Sequence, residues 1–215
     1  MSVPAGLRAQ IAADYTAIRP LAPPLVRALW VTPLAALALF AAPVFFNVRS
    51  DAAQLGWLVS WGVSLLQAAA GLAVIAAALR ESVPGRSWTT SALAAWIALP
   101  AIVVTAVTLV SWQLSVVPLR RGFWFVGALC LGSSAATALP VIALANVIAA
   151  RAYPVRPAIM GLMLGLGGGL IADAGWRMFC HFSEPSHVLS AHAGGVLLAA
   201  VAGSAIALTL RRPVR

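Results

Sequence analysis

The chain has 215 residues, 62% of them apolar and only 9% charged, and its mean hydropathy is +0.96. A water-soluble domain of this length cannot hide so much apolar side chain, so composition makes it an integral protein of the lipid bilayer. The net charge of +9 comes from fourteen arginines and no lysine, placed mostly between apolar runs, which fits topology signals and lipid headgroups and argues against a nucleic-acid groove.

Residues 1–27 form a polar, proline-rich N-terminal segment, and residues 28–215 a transmembrane domain. No Ala-x-Ala-like site follows the first apolar run, so no cleaved signal peptide is expected. Within the N-terminal segment, Leu7, Ile11, Tyr15 and Ile18 are spaced by four, four and three, which predicts one face of an amphipathic helix from Pro4 to Ile18. Arg19-Pro20-Leu21-Ala22-Pro23-Pro24 ends it, because proline removes a backbone donor and disfavours helix in the residue before it. Such a helix can lie on the bilayer or dock into a protein groove.

Six apolar runs follow: Ala28 to Phe46, Trp57 to Leu79, Ser91 to Trp112, Phe123 to Ala150, Ala158 to Phe179 and Ala191 to Leu210. Each is about 20 residues or more, enough to cross a hydrocarbon core of about 30 Å. The expected fold is therefore all-α, a bundle of six transmembrane helices with a short amphipathic N-terminal helix. An even number of spans puts both termini on one side. Ten arginines, from Arg8 to Arg215, lie on that side, against Arg49, Arg120, Arg121 and Arg177 on the other, so both termini are assigned to the cytoplasm. Loops of mostly eight to twelve residues leave no room for a second domain.

Residues able to do chemistry concentrate between Phe179 and His192, read as an outward-facing loop. Cys180, His181, Glu184, His187 and His192 offer soft and borderline metal ligands within thirteen residues, although in no standard zinc spacing. The other cysteine, Cys130, is the eighth residue of the fourth run, whose 28 residues make about 42 Å of helix. That excess can lift Cys130 toward Cys180, either as a thiol pair or simply as two small buried hydrophobes. Asp173 and Arg177 share a helix face four residues apart, which favours an intramembrane ion pair over a proton relay. Gly161, Gly165 and Gly169, with Gly167 and Gly168, make a surface for close helix packing, and Gly194, Gly195 and Gly203 do the same in the last run. No serine, histidine and acid arrangement is credible as a catalytic triad, so no enzyme is expected.

The residues Ile18-Arg19-Pro20-Leu21-Ala22-Pro23-Pro24, Val83-Pro84-Gly85-Arg86, Cys130, and Cys180 with Glu184, Pro185 and His192 give the chain a resemblance to a family. It resembles the NrsF-like negative regulators of sigma F, six-span anti-sigma factors of the bacterial inner membrane, over nearly its whole length. The resemblance implies an extracytoplasmic-function sigma factor as partner, held at the membrane and released when Cys130 and Cys180 perceive heavy-metal or oxidative stress. Leu7, Ile11, Tyr15, Ile18 and Arg19 are then the candidate sigma contact, because apolar anchors at this spacing suit helix-in-groove binding and no other soluble segment is long enough, and His181, Glu184, His187 and His192 are possible accessory ligands for a transient metal ion. No resident cofactor, nucleic acid or small-molecule substrate is expected. The alternative is a small transporter or channel with Asp173 and Arg177 on its pathway. A membrane thiol oxidoreductase would want a Cys-x-x-Cys pair, which the sequence lacks. Reporter fusions at Arg215 and at Ser183 are expected to mark opposite sides of the membrane, and a result placing both on one side refutes the six-span reading.

Overall fold

The computed structural model describes residues 4–14, 20–114 and 123–210, and every regular element among them is helical. In chain order these are α1 (Ala5–Asp14), α2 (Pro24–Leu29), α3 (Thr32–Phe46), α4 (Ala52–Trp57), α5 (Val63–Glu81), α6 (Thr90–Leu114), α7 (Phe123–Ala150), α8 (Pro157–Phe179), α9 (Pro185–His187) and α10 (Gly194–Thr209). A π-helical turn at Leu58–Gly62 joins α4 to α5, and another at Val188–Ala193 joins α9 to α10. Among the described residues, five helices are long and apolar enough to cross a membrane: Ala52–Glu81, Thr90–Leu114, Phe125–Ala150, Pro157–Phe179 and Pro185–Thr209.

The first expected span is not one helix. Pro33 has no N–H to give the Leu29 carbonyl, and the Thr32 hydroxyl takes that acceptor instead at 2.6 Å, so α2 stops and α3 starts again with proline in its first turn. The resulting α3 has 15 residues, or about 22 Å of helix. The last span departs in the other direction. Pro185 opens a helix six residues before the expected start at Ala191, so His187 and His192 stand on helical turns and not in a loop.

At the N-terminus, α1 is exposed along its length from Gly6, with Leu7 and Ile11 about half exposed. Tyr15, Ile18 and Arg19, the rest of the expected contact face, lie outside the described residues.

The bundle is organised around α8, which packs against α3, α5, α7 and α10, while α6 touches it more lightly from the periphery. Nearly every residue of α8 is buried, and its glycines explain how four neighbours fit around one helix. A Cβ at Gly167 would lie 2.6 Å from the Gly71 carbonyl of α5, and one at Gly71 would lie 2.6 Å from the Gly167 carbonyl, so these two helices meet backbone to backbone. On another face, Gly161 and Gly165 meet Gly203 and Ala199 of α10 just as closely.

Polar clamps close both ends. At one end, buried Arg27 of α2 donates to the Leu79 carbonyl of α5 at 2.6 Å, and Glu81 holds Arg156 at 2.6 Å and the Trp88 N–H at 2.7 Å. At the other, Arg49 pairs with Asp51 at 2.5 Å and donates to Ser183 at 3.0 Å, tying the segment after α3 to the segment after α8. Replacing Gly165 by alanine drives a methyl into the backbone of α10 and is expected to cost about 1–3 kcal/mol, the range for overpacking a tight core. Gly127→Ala, at a position with nothing within 4 Å, is the matched control and should be near neutral. Equal melting of the two variants in detergent micelles would refute the close-packed α8–α10 contact.

Candidate functional site

The site lies at the end of the bundle where α3 and α8 finish. Cys180 directly follows α8, with its N–H bonded to the Trp176 carbonyl at 2.7 Å and its backbone turning extended. Residues 180–184 form a short connection, and Pro185, which fits the first helical position without losing a hydrogen bond, starts the chain back into the bundle.

The π-turn then decides where the histidines point. In an α-helix, residues five apart are separated by about 140° around the axis. A π-turn closes on i→i+5 and brings such a pair back onto one side. His187 ends α9 and His192 sits within the turn at Val188–Ala193, and their ring centroids lie 5.2 Å apart. From the neighbouring helix α7, Cys130 reaches the same place.

Four side chains meet there. The Cys130 and Cys180 Sγ atoms are 3.9 Å apart, and Cys180 Sγ is 3.4 Å from His187 Nε2. With His192 included, one ligand atom from each of the four lies within 4.8 Å of all the others, and all four residues are buried. Cys180 is held well below the ordinary thiol range, first by the Cys130 thiol donating to it and then by His187 and His192, which together outweigh the opposing effect of burial.

Behind His192 stands Asp173, fully buried in α8. One carboxylate oxygen meets His192 Nδ1 at 2.6 Å, and the other accepts from Arg177 Nε at 2.9 Å and Gln67 Nε2 at 2.7 Å. The expected pairing of Asp173 with Arg177 is present, within a larger network. Arg177 extends it to Thr108 of α6 at 3.5 Å, and Gln67 extends it to the Leu170 carbonyl at 3.1 Å. Sequence reading missed Gln67, although a lone amide inside an apolar run is the kind of signal that marks a buried polar contact. It also missed the tie between Arg49, Asp51 and Ser183, which fixes the connection carrying Cys180.

His181 and Glu184 fall outside the four-residue cluster. His181 stacks against Phe182, with centroids 4.3 Å apart, and Glu184 contacts the Ser186 hydroxyl at 3.4 Å. On the other side of the thiols is a cavity of about 440 Å³, with Phe46, Trp176 and Phe179 on its wall beside both cysteines. The three rings pack on one another with centroids 5.6 to 5.9 Å apart, which anchors the end of α3 to the end of α8.

Among curated proteins and solved structures, none matches the chain. The sequence profile described as "NrsF: Negative regulator of sigma F" matches residues 11–212, from within α1 to just past α10. A match over nearly the whole chain establishes that this protein belongs to the NrsF family of negative regulators of sigma F.

Proposed function

We propose that the chain is an anti-sigma factor of the bacterial inner membrane, crossing it six times with both termini in the cytoplasm. It holds an extracytoplasmic-function sigma factor and lets it go when Cys130 and Cys180 meet a heavy-metal ion or an oxidant. The observation that carries the sensing part of this reading is the meeting of the two cysteines, 50 residues apart in sequence, at 3.9 Å. Family membership supports the sigma-factor partner, and the arginine distribution supports the orientation.

In this arrangement the thiols lie on the outer half, where the environment is oxidising, and the sigma factor binds on the inner side. Oxidation would join the two sulfurs as a disulfide, two protons and two electrons passing to the oxidant. A bond of about 2.05 Å in place of the present separation pulls α7 toward the end of α8. The helices that feel this pull lead to the opposite end. Gln67 of α5 is bonded to Asp173, and α5 runs on to Leu79 and Ser82, where Arg27 anchors the segment that follows α1. Asp173 and Arg177, the pathway residues of a transporter, are here engaged with each other, Gln67 and His192, which favours a structural role for them.

The segment offered to the sigma factor is α1, whose exposed Leu7 and Ile11 stand four apart as anchors for a groove on a partner. Changing both to aspartate is expected to raise transcription of the target genes without stress while the protein stays in the membrane. Unchanged repression would move the contact to the inner loops. The sensing half is tested separately: Cys130→Ser with Cys180→Ser should leave repression intact and abolish induction by cadmium or a strong oxidant. Normal induction in that double variant would make the cysteines packing residues only.

A further inference from the structure

Two histidines converge on this thiol pair, so that two soft and two borderline ligands meet at one buried place. We propose that Cys130 Sγ, Cys180 Sγ, His187 Nε2 and His192 Nε2 are a tetrahedral site for one thiophilic divalent cation of the zinc and cadmium class, with Asp173 as the carboxylate that orients His192. The inference deepens the sensing reading above and rests on it for its physiological meaning.

The distances fit. Bonds of about 2.3 Å to sulfur and about 2.0–2.1 Å to nitrogen set the edges of a tetrahedron near about 3.8 Å between two sulfurs and about 3.6 Å between sulfur and nitrogen. The structure has 3.9 Å between the sulfurs and 3.4 Å between Cys180 Sγ and His187 Nε2. All four ligand atoms fall within 4.8 Å of one another, so closing the set requires only small shifts.

The charges fit as well. In the bound set, two thiolates with two neutral imidazoles cancel the charge of a dication, leaving a neutral centre suited to a buried place. Asp173 is engaged by Arg177 and Gln67 through one oxygen and holds His192 Nδ1 with the other. That fixes the imidazole with Nε2 turned away from the carboxylate, the arrangement of a carboxylate–histidine–metal relay. A ring nitrogen of His192 lies within 4.8 Å of both sulfurs, which places the ring beside them. Both thiols stand on the wall of the neighbouring cavity.

The test uses the reduced full-length protein in detergent micelles, titrated with Co²⁺ and then with Cd²⁺. One Co²⁺ per chain should bind with the intense visible absorption of a tetrahedral centre and a sulfur-to-metal charge-transfer band, and Cd²⁺ should displace it. His187→Ala should lose the tetrahedral spectrum and weaken Cd²⁺ binding by about tenfold or more, while His181→Ala, just outside the cluster, should change neither. Asp173→Asn should keep the spectrum and weaken binding by about 10–100-fold. Because that variant leaves Arg177 without its charge partner and could fail to fold, His187→Ala, outside the Asp173 network, is the deciding one. A Cd²⁺ affinity indifferent to His187→Ala, or an octahedral Co²⁺ spectrum, overturns the four-ligand site. If His187→Ala cells respond to cadmium normally while the double serine variant does not, the thiol-sensing reading survives and the four-ligand site does not. A site intact in micelles, with induction indifferent to the serine replacements, retires the sensing reading alone.

Discussion

Asp173 is the group on which the rest of the structure depends. A carboxylate with no exposure at all, in the most buried helix of an apolar bundle, is tolerated only when its charge is compensated and its lone pairs are filled. Three side chains do this, and they come from three places: Arg177 from one turn further along α8, Gln67 from α5 and His192 from the π-turn before α10. Each donor fixes the rotation of its own element about α8. The carboxylate thus sets the mutual register of the elements that carry Cys180, His187 and His192.

The glycines make that register possible. A polar network so deep needs its helices close, and α8 meets α5 and α10 at distances that leave no space for a Cβ at Gly71, Gly165, Gly167 or Gly203. Between these backbone contacts, Ile75 of α5 and Ile171 of α8 fill the remaining space as buried side chains. The site at one end and the Arg27 and Glu81 clamps at the other are therefore joined through the most closely packed helices of the bundle.

Much of this was legible in the sequence. The helical class follows from composition, and the ends of α7 and the last residue of α8 coincide with the ends of the apolar runs, since hydropathy changes sharply at Phe123, Ala150 and Phe179. The Asp173 and Arg177 pair follows from a spacing of four, and the meeting of Cys130 with Cys180 from the excess length of the fourth run. What could not be read are the features that depend on one backbone atom. The break before α3 turns on the missing N–H of Pro33 and the rescue of the Leu29 carbonyl by Thr32, neither of which changes hydropathy. A π-turn has no compositional signature, so His187 and His192 looked like residues of a polar loop. Gln67 was passed over because a single amide barely lowers the average of an apolar run.

That π-turn has a geometric consequence of its own. It accommodates one residue more than an α-helical turn, and such an extra residue can travel along a helix by exchanging i→i+5 bonds for i→i+4 bonds one step at a time. Each step leaves both ends of the helix in place and swings only the residue passed through about 100°. At Val188–Ala193 the extra residue is held where it stands by the bond between His192 and Asp173, so the break in helical periodicity falls at the mouth of α10, on the residues that face the thiols.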